Sequence, residues 1–341
     1  MKHTVNLEKF NLRTDLIIDN NDILKNLNKE EKVFDKVKVT KVTLDSKSGK
    51  LINKKPGTYI TIEFDDITDT SNKEKVQTIF ENCIKDMLDI LKIKSNHKCL
   101  IIGLGNSKST PDALGPITID NILVTGHLFL IGDVDIDFRN VSAFAPGVTG
   151  STGIETSDLI QSTINTIKPD MLIVIDALAS HSLDRVNKTI QISDTGINPG
   201  SGIGNSRKEI SAETLNLPVI AIGVPTVVNA VTVVSDTINY MHKHYAFHKN
   251  FQNKPIRKLV KLTKINYLNK EVNILDSDKK NLLGIVGSLD ENEIKQLIFE
   301  VLTPIGFNLM VTPKEIDFVI DKLGSLIGNG LNNSLHKKNT N

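Results

Sequence analysis

The sequence predicts an α/β fold, a three-layer sandwich in which helices cover both faces of a mostly parallel central sheet. Short, fully apolar runs recur in the middle of the chain, at Cys99–Leu104, Val141–Ala145, Met171–Ile175, Thr189–Ile192 and Val219–Ile222. Helix-like segments separate several of these runs, at about 116–129, 152–167 and 225–244. Apolar strands that alternate with helices are typical of a parallel sheet buried on both faces. The core is therefore expected over about 98–244.

The region before this core is predicted to contain a small N-terminal β element. The first 40 residues are polar and weakly periodic, so we expect an arm that is not part of the core. Two β-rich runs follow, Val39–Leu44 and Thr58–Phe64, with Pro56-Gly57 as a turn between them. Apolar residues at three-and-four spacing then predict an amphipathic helix over 73–93.

The region after the core is predicted to contain an insertion and C-terminal helices. Residues 243–280 carry ten Lys or Arg and three acids, which is typical of a solvated insertion, expected over about 245–285. Two helices are expected over about 289–335, one at 289–302 and one that starts at the Thr312-Pro313 cap. We interpret 16–341 as a single domain.

Composition excludes several classes of protein. The 341 residues carry 41 Lys or Arg and 40 Asp or Glu, a net charge of +1, which argues against a polycation that coats nucleic acid. No apolar run approaches the roughly 18 residues of a membrane span, and the N-terminus lacks the apolar stretch of a signal peptide. Two cysteines make no disulfide framework. We expect a cytoplasmic protein with no membrane contact and no direct nucleic-acid role.

Two acids follow strands at the edge where open α/β sheets bind ligands. Asp176 comes directly after Met171–Ile175, and Asp112 lies in a short turn after the first core strand, because Pro116 interrupts any helix begun there. Taken alone, Asp176 has two equally good explanations, a functional carboxyl group or a structural one that accepts N–H bonds from a loop. Asp112, taken alone, is better explained as a structural acid at a helix N-terminus. Taken together, two facing carboxyl groups split their titration and can activate water without a covalent intermediate. The same pair suits a hard metal ion.

Other motifs are weaker. The chain has no HExxH, Walker A or GxSxG motif. The glycine-rich loop GSGIG at 200–204 offers backbone N–H groups to an anion, so a non-catalytic, anion-binding α/β module is an alternative function. Cys83 lies on the apolar stripe of its helix and is interpreted as a core residue. His127 and His181 are isolated and are interpreted as ordinary residues.

Longer motifs resemble the spore germination protease (GPR endopeptidase) family. They are GLGNSKSTPDALGP, VSAFAPGVTGSTGIETSD, VIDALAS, QISDTGINPGSGIGNSRKEIS, PVIAIGVPTVVNAVTVVSDTI and LTPIGFNLMVTPKEID, in that order. The resemblance implies an atypical aspartic endopeptidase that degrades small acid-soluble spore proteins during germination. It also implies a homotetramer in the spore core, made as a zymogen that removes its own prosegment. Asp112 and Asp176 fall on the two implicated acids, and the prosegment 1–15 would be cut between Asp15 and Leu16.

The fold that this resemblance implies is that of hydrogenase maturation peptidases, whose two corresponding acids help to bind nickel. The histidine ligand of that family has no convincing counterpart at His127 or His181. We expect no cofactor, and a metal-dependent peptidase that uses the same acids stays open as an alternative. Asp112, near helix-start N–H groups, is expected to be the ionised partner, and Asp176, at an apolar strand, is expected to keep its proton.

Overall fold

The computed structural model describes residues 15–20, 29–132, 134, 137–200, 208–252, 272–302 and 309–337. These residues form two compact units: a larger one within 15–228 and 312–337, and a smaller one within 229–311. Most of the predicted glycine-rich loop (201–204), residues 1–14 of the predicted prosegment and residues 253–271 of the predicted insertion lie outside the described residues. The division into a prosegment and one domain over 16–341 stays a prediction.

The larger unit is built on one mixed sheet. Its strands are β1 (Lys29–Phe34), β2 (Val37–Leu44), β3 (Gly57–Glu63), β4 (Cys99–Gly103), β5 (Val141–Phe144), β6 (Met171–Ser180), β7 (Thr189–Ser193) and β8 (Val219–Asn229). They lie in the order β1-β2-β3-β7-β8-β6-β4-β5. Strands β8, β6, β4 and β5 are parallel, and β1, β2, β3 and β7 extend this core by antiparallel pairing. The predicted α/β class and its parallel core are confirmed, and the N-terminal strands join the same sheet.

Helices cover both faces of the sheet. The helices of the larger unit are α1 (Ser46–Leu51), α2 (Thr70–Ile90), α3 (Leu114–Asp120), α4 (Gly126–Ile131), α5 (Thr149–Thr152), α6 (Thr156–Ile167), α7 (Ala212–Leu215) and α11 (Ile316–Leu335). The helices of the smaller unit are α8 (Ala230–Gln252), α9 (Asp276–Leu283) and α10 (Glu291–Leu302). On one face α2, α3 and α11 pack in a cluster that includes Phe80, Ile101 and Leu326. On the other face α6 packs through Ile160 and Ile164 against strands β4 and β6. This is the predicted three-layer arrangement.

Several predicted boundaries are wrong. The predicted helix 116–129 is two helices, α3 and α4. Helix α8 starts at Ala230 and not near 225, because β8 continues to Asn229. The last helix starts at Ile316 and not at Thr312. The first 40 residues are also not merely an arm outside the core, because residues 16–18 are fully buried and 29–34 form an edge strand.

The smaller unit consists of helices α8, α9 and α10 and the short strand β9 (Met310–Val311). Helices α9 and α10 both pack against α8. Lys249 of α8 forms an ion pair of 2.5 Å with the buried carboxylate of Asp278 on α9. In neither unit is any described helix both long enough and apolar enough to cross a membrane.

Candidate active site

Asp176 lies in the middle of a strand, where a neighbouring strand stops. The expectation that it directly follows a strand is wrong, because β6 continues to Ser180 by pairing with β8, which also continues beyond this point. On its other side β6 loses its partner, since β4 ends at Gly103, opposite Ile175. Asp176 is nevertheless buried, with 6% of the residue exposed. Its Oδ1 accepts the N–H of Ala177 at 2.9 Å.

Asp112 ends the short 3-10 turn Thr110–Asp112 that precedes α3, as predicted for a short turn before the main helix. Its N–H donates to the Ser109 carbonyl at 2.8 Å, and its own carbonyl accepts the N–H of Asn106 at 2.9 Å. The loop after β4 comes very close to this turn at Gly105, whose φ is +114°. A Cβ at Gly105 would lie only 2.0 Å from the Asp112 carbonyl oxygen, so only glycine fits there.

The structure brings Asp112 and Asp176 to one edge of the sheet. The Leu104 N–H donates to the Ile175 carbonyl at 2.8 Å, which ties the loop after β4 to the residue before Asp176. The turn that carries Asp112 also contacts β6. The two acids, 64 positions apart in the sequence, therefore lie beside the same short loop, 104–106.

A stretch of the chain binds to the sheet next to this edge. We call residues 15–20 the docked segment. Leu16, Ile17 and Ile18 are at most 2% exposed and pack in a cluster that includes Val42, Leu44, Ile52, Tyr59 and Leu178. The buried carboxylate of Asp19 accepts the N–H of His181 at 2.9 Å and pairs with Arg185. Burial and charge together hold this segment on the sheet.

The docked segment lies on the sheet face that carries Asp176. Side chains along a strand alternate between faces, so Leu178, which packs against the segment, shares the face of Asp176. Residue Asp15 also pairs with β6 directly, since its N–H donates to the Ala179 carbonyl at 3.3 Å. The predicted cleavage junction, Asp15-Leu16, is thus bound on the same strand and the same face as the predicted catalytic Asp176.

The sequence did not single out two side chains that contact the junction, Lys54 and Gln191. Gln191 takes an ordinary polar position in the alternating strand β7, and only the structure shows that it is 8% exposed. Lys54 is one of two lysines in a loop, so neither residue carried a distinct signal in the sequence. Burial lowers the pKa of the Lys54 ammonium, and the charges of Asp15 and Asp19 oppose that shift.

The remaining candidates contribute less. Burial raises the pKa of the Cys83 and Cys99 thiols to about 12, which leaves both as neutral core side chains. Over the described residues, no group of three or more His, Cys, Asp or Glu side chains is arranged to hold a metal ion. At this edge, Asp112 and Asp176 offer two carboxyl groups to a hard metal ion.

A buried carboxyl group with a second acid nearby and a polypeptide bound on the same strand provides the groups that a peptidase needs for acid–base chemistry. Comparison with known proteins agrees with this class. A family model described as germination protease matches residues 8–341. The germination protease of Halalkalibacterium halodurans is 46% identical over 360 residues, which cover 99% of this chain and 97% of that protein. That of Bacillus mycoides is 46% identical over 98% of this chain and 96% of that protein.

The chain belongs to the germination protease family, and it is a peptidase. The expected resemblance is confirmed. Among solved structures, the NiFe hydrogenase maturation protease HycI from Thermococcus kodakarensis KOD1 is similar over 42% of this chain and 80% of that chain, with 17% identity and a TM-score of 0.28. So low a TM-score carries no argument about site or mechanism.

Proposed function

We propose that this chain is an endopeptidase that degrades small acid-soluble spore proteins during germination. It is made as a zymogen, cuts itself between Asp15 and Leu16, and works as a homotetramer in the cytoplasm of the spore core. Family membership over nearly the whole chain supports the germination protease activity. The observation that carries self-cleavage is the binding of the Asp15-Leu16 junction on the strand and face of Asp176.

In the proposed mechanism a pair of carboxyl groups activates water. Ionised Asp112 takes a proton from a water molecule, and the water oxygen bonds to the carbonyl carbon of Asp15. Protonated Asp176 polarises the carbonyl and supplies a proton to the Leu16 nitrogen as the C–N bond breaks. The products are a new carboxyl group on Asp15 and a new amine on Leu16.

The assignment of the two roles follows from burial. Water stabilises the charged form of a carboxyl group, so the more buried partner is the one that keeps its proton. Asp176 is buried, whereas Asp112 is only half-buried in its turn. Because a coupled pair titrates as a unit, the pH dependence of the rate belongs to both acids together.

A substrate assay tests the proposal. The purified chain is incubated with a small acid-soluble spore protein that contains a Glu-apolar bond, with and without a chelator. We expect cleavage after the acid at the same rate in both samples. Loss of activity on chelation that one metal restores would instead establish the metal-dependent alternative. An intact substrate under all conditions would favour the non-catalytic, anion-binding module.

A further inference from the structure

The carbonyl oxygen of Asp15 is held by two side-chain donors from different parts of the sheet. Lys54 Nζ and Gln191 Nε2 each lie 3.1 Å from this oxygen. Within the proposed function this oxygen belongs to the peptide bond that is cut, and it gains negative charge when water adds to the carbonyl carbon. Donors already directed at such an oxygen stabilise the charge without reorganisation.

Gln191 also fixes the backbone on the other side of the cut. Its Oε1 accepts the N–H of Ile17 at 2.8 Å, while its Nε2 donates to the Asp15 carbonyl. One side-chain amide therefore spans Leu16 and holds the backbone groups on both sides of it. The sheet register places Gln191 on the same face as Asp176, because Gly223 pairs with both residues.

The acidic side chain of Asp15 is bound as well. Its Oδ2 accepts the N–H of Ala179 at 3.0 Å, three residues beyond Asp176 on the same strand. The Lys54 ammonium interacts favourably with the Asp15 charge. A backbone donor and a half-buried cation together favour an acid at this position over a neutral residue of similar size.

The loop that carries Lys54 has a fixed geometry. The N–H of Lys54 donates to the Gly49 carbonyl at 2.9 Å, and a Cβ at Gly49 would lie 2.6 Å from the Lys54 carbonyl oxygen. Asn53 before it adopts a left-handed φ of 53°. The neighbouring Lys55 points elsewhere, because it pairs with Glu209 and Glu213. The chain thus offers a lysine beside the junction and a matched lysine away from it.

We propose that Lys54, Gln191 and the Ala179 N–H form the subsite for the acidic residue before the cut bond, with Lys54 and Gln191 stabilising its carbonyl oxygen during cleavage. This rests on the proposed self-cleavage after Asp15. The two donors act on the carbonyl oxygen together with protonated Asp176, which then supplies its proton to the departing Leu16 nitrogen. The subsite explains why the residue at the junction is an acid.

The rate of self-cleavage in the full chain tests the donor pair, with the new Leu16 N-terminus measured by mass spectrometry. We expect Lys54→Met and Gln191→Leu each to slow the cut about 100- to 1,000-fold, the loss typical of one such donor. Lys54→Arg should recover part of the rate. The matched control, Lys55→Met, should change it by less than about threefold.

A double-mutant cycle separates recognition from a merely structural role. Asp15→Asn should slow the cut at least about tenfold in the wild-type chain and far less in the Lys54→Met background, because the two side chains act on each other. Equal losses in both backgrounds, or wild-type rates in Lys54→Met and Gln191→Leu, would overturn the subsite while leaving the proposed function intact.

Hydrogen exchange tests the subsite without catalysis. In an uncut Asp176→Asn chain, Gln191→Leu should speed exchange of the Ile17 amide about tenfold or more, because it removes the acceptor for that N–H. Unchanged exchange of the Ile17 amide would contradict the proposal that Gln191 binds the backbone of the docked segment. A wild-type chain that is never cut after Asp15 would refute the proposed self-cleavage, and the exchange result would then decide the subsite by itself.

Discussion

The ion pair between Asp19 and Arg185 should control how firmly the docked segment stays on the sheet. The Asp19 side chain is 1% exposed and that of Arg185 is 17% exposed. Asp19→Asn keeps an acceptor for the His181 N–H but removes the charge that Arg185 pairs with. A second acid near Arg185 is Glu63, whose Oε1 lies 3.7 Å from the guanidinium.

The size of the effect follows from the burial of the pair. Breaking a buried ion pair by removing one partner costs about 3–5 kcal/mol. Because Arg185 keeps some contact with water, the loss should lie near the lower limit, about 3 kcal/mol. At about 1.4 kcal/mol per tenfold, local opening of the segment should become roughly 100-fold more frequent.

Hydrogen exchange at the Ile17 amide measures this opening directly in an uncut Asp176→Asn chain, since this N–H of the docked segment donates to the Gln191 side chain on the sheet. The control variant is Glu63→Gln, which removes the longer and more exposed contact and should change opening by less than about 1 kcal/mol. If Asp19→Asn exchanges no faster than Glu63→Gln, the ion pair does not hold the segment and the reasoning is refuted.

Two further predictions concern the sheet edge and the larger unit. Burial, together with the charge of Arg139, lowers the pKa of His336 below its ordinary 6.5, and its Nδ1 accepts the Arg139 N–H at 3.2 Å. Stability from this contact is present above the unfolded pKa and is lost as pH falls through the lower folded value. The denaturation midpoint of the wild-type chain should therefore be lower at about pH 5.5 than at about pH 7.5. The decrease should be smaller in His336→Gln, and equal decreases in the two proteins would contradict this. Gly105→Ala places a Cβ 2.0 Å from the Asp112 carbonyl oxygen and should displace the turn that carries Asp112. The rate of self-cleavage should fall about 100-fold or more, while circular dichroism shows that the fold is retained. A wild-type rate would show that the turn tolerates displacement.

Much of the core followed from the sequence because buried parallel strands leave a continuous apolar signal. Each apolar run became a strand, and the rule that ligand sites lie beyond strand ends was enough to select Asp112 and Asp176 from the order of residues alone. The structure around Asp176 differs from the expected strand end in one respect. The strand itself continues, and it is the neighbouring β4 that ends there.

The parts that escaped prediction depend on register between distant segments. Gln191 reaches the docked segment because β7, β8 and β6 align it with Gly223 and Asp176, and a single strand pattern contains no such information. Residues 16–18 were missed because three apolar residues in an irregular stretch have no period to detect. Their burial depends on a surface that only the folded sheet provides.

N-terminal sequencing after incubation of the full-length chain tests the central claim most directly, because it reports both the bond that is cut and the acids that cut it. The account predicts a new N-terminus at Leu16 for wild type and for Asp158→Asn, a control at an exposed acid, and an intact chain for Asp112→Asn and Asp176→Asn. A Leu16 terminus produced at the wild-type rate by Asp176→Asn would contradict it.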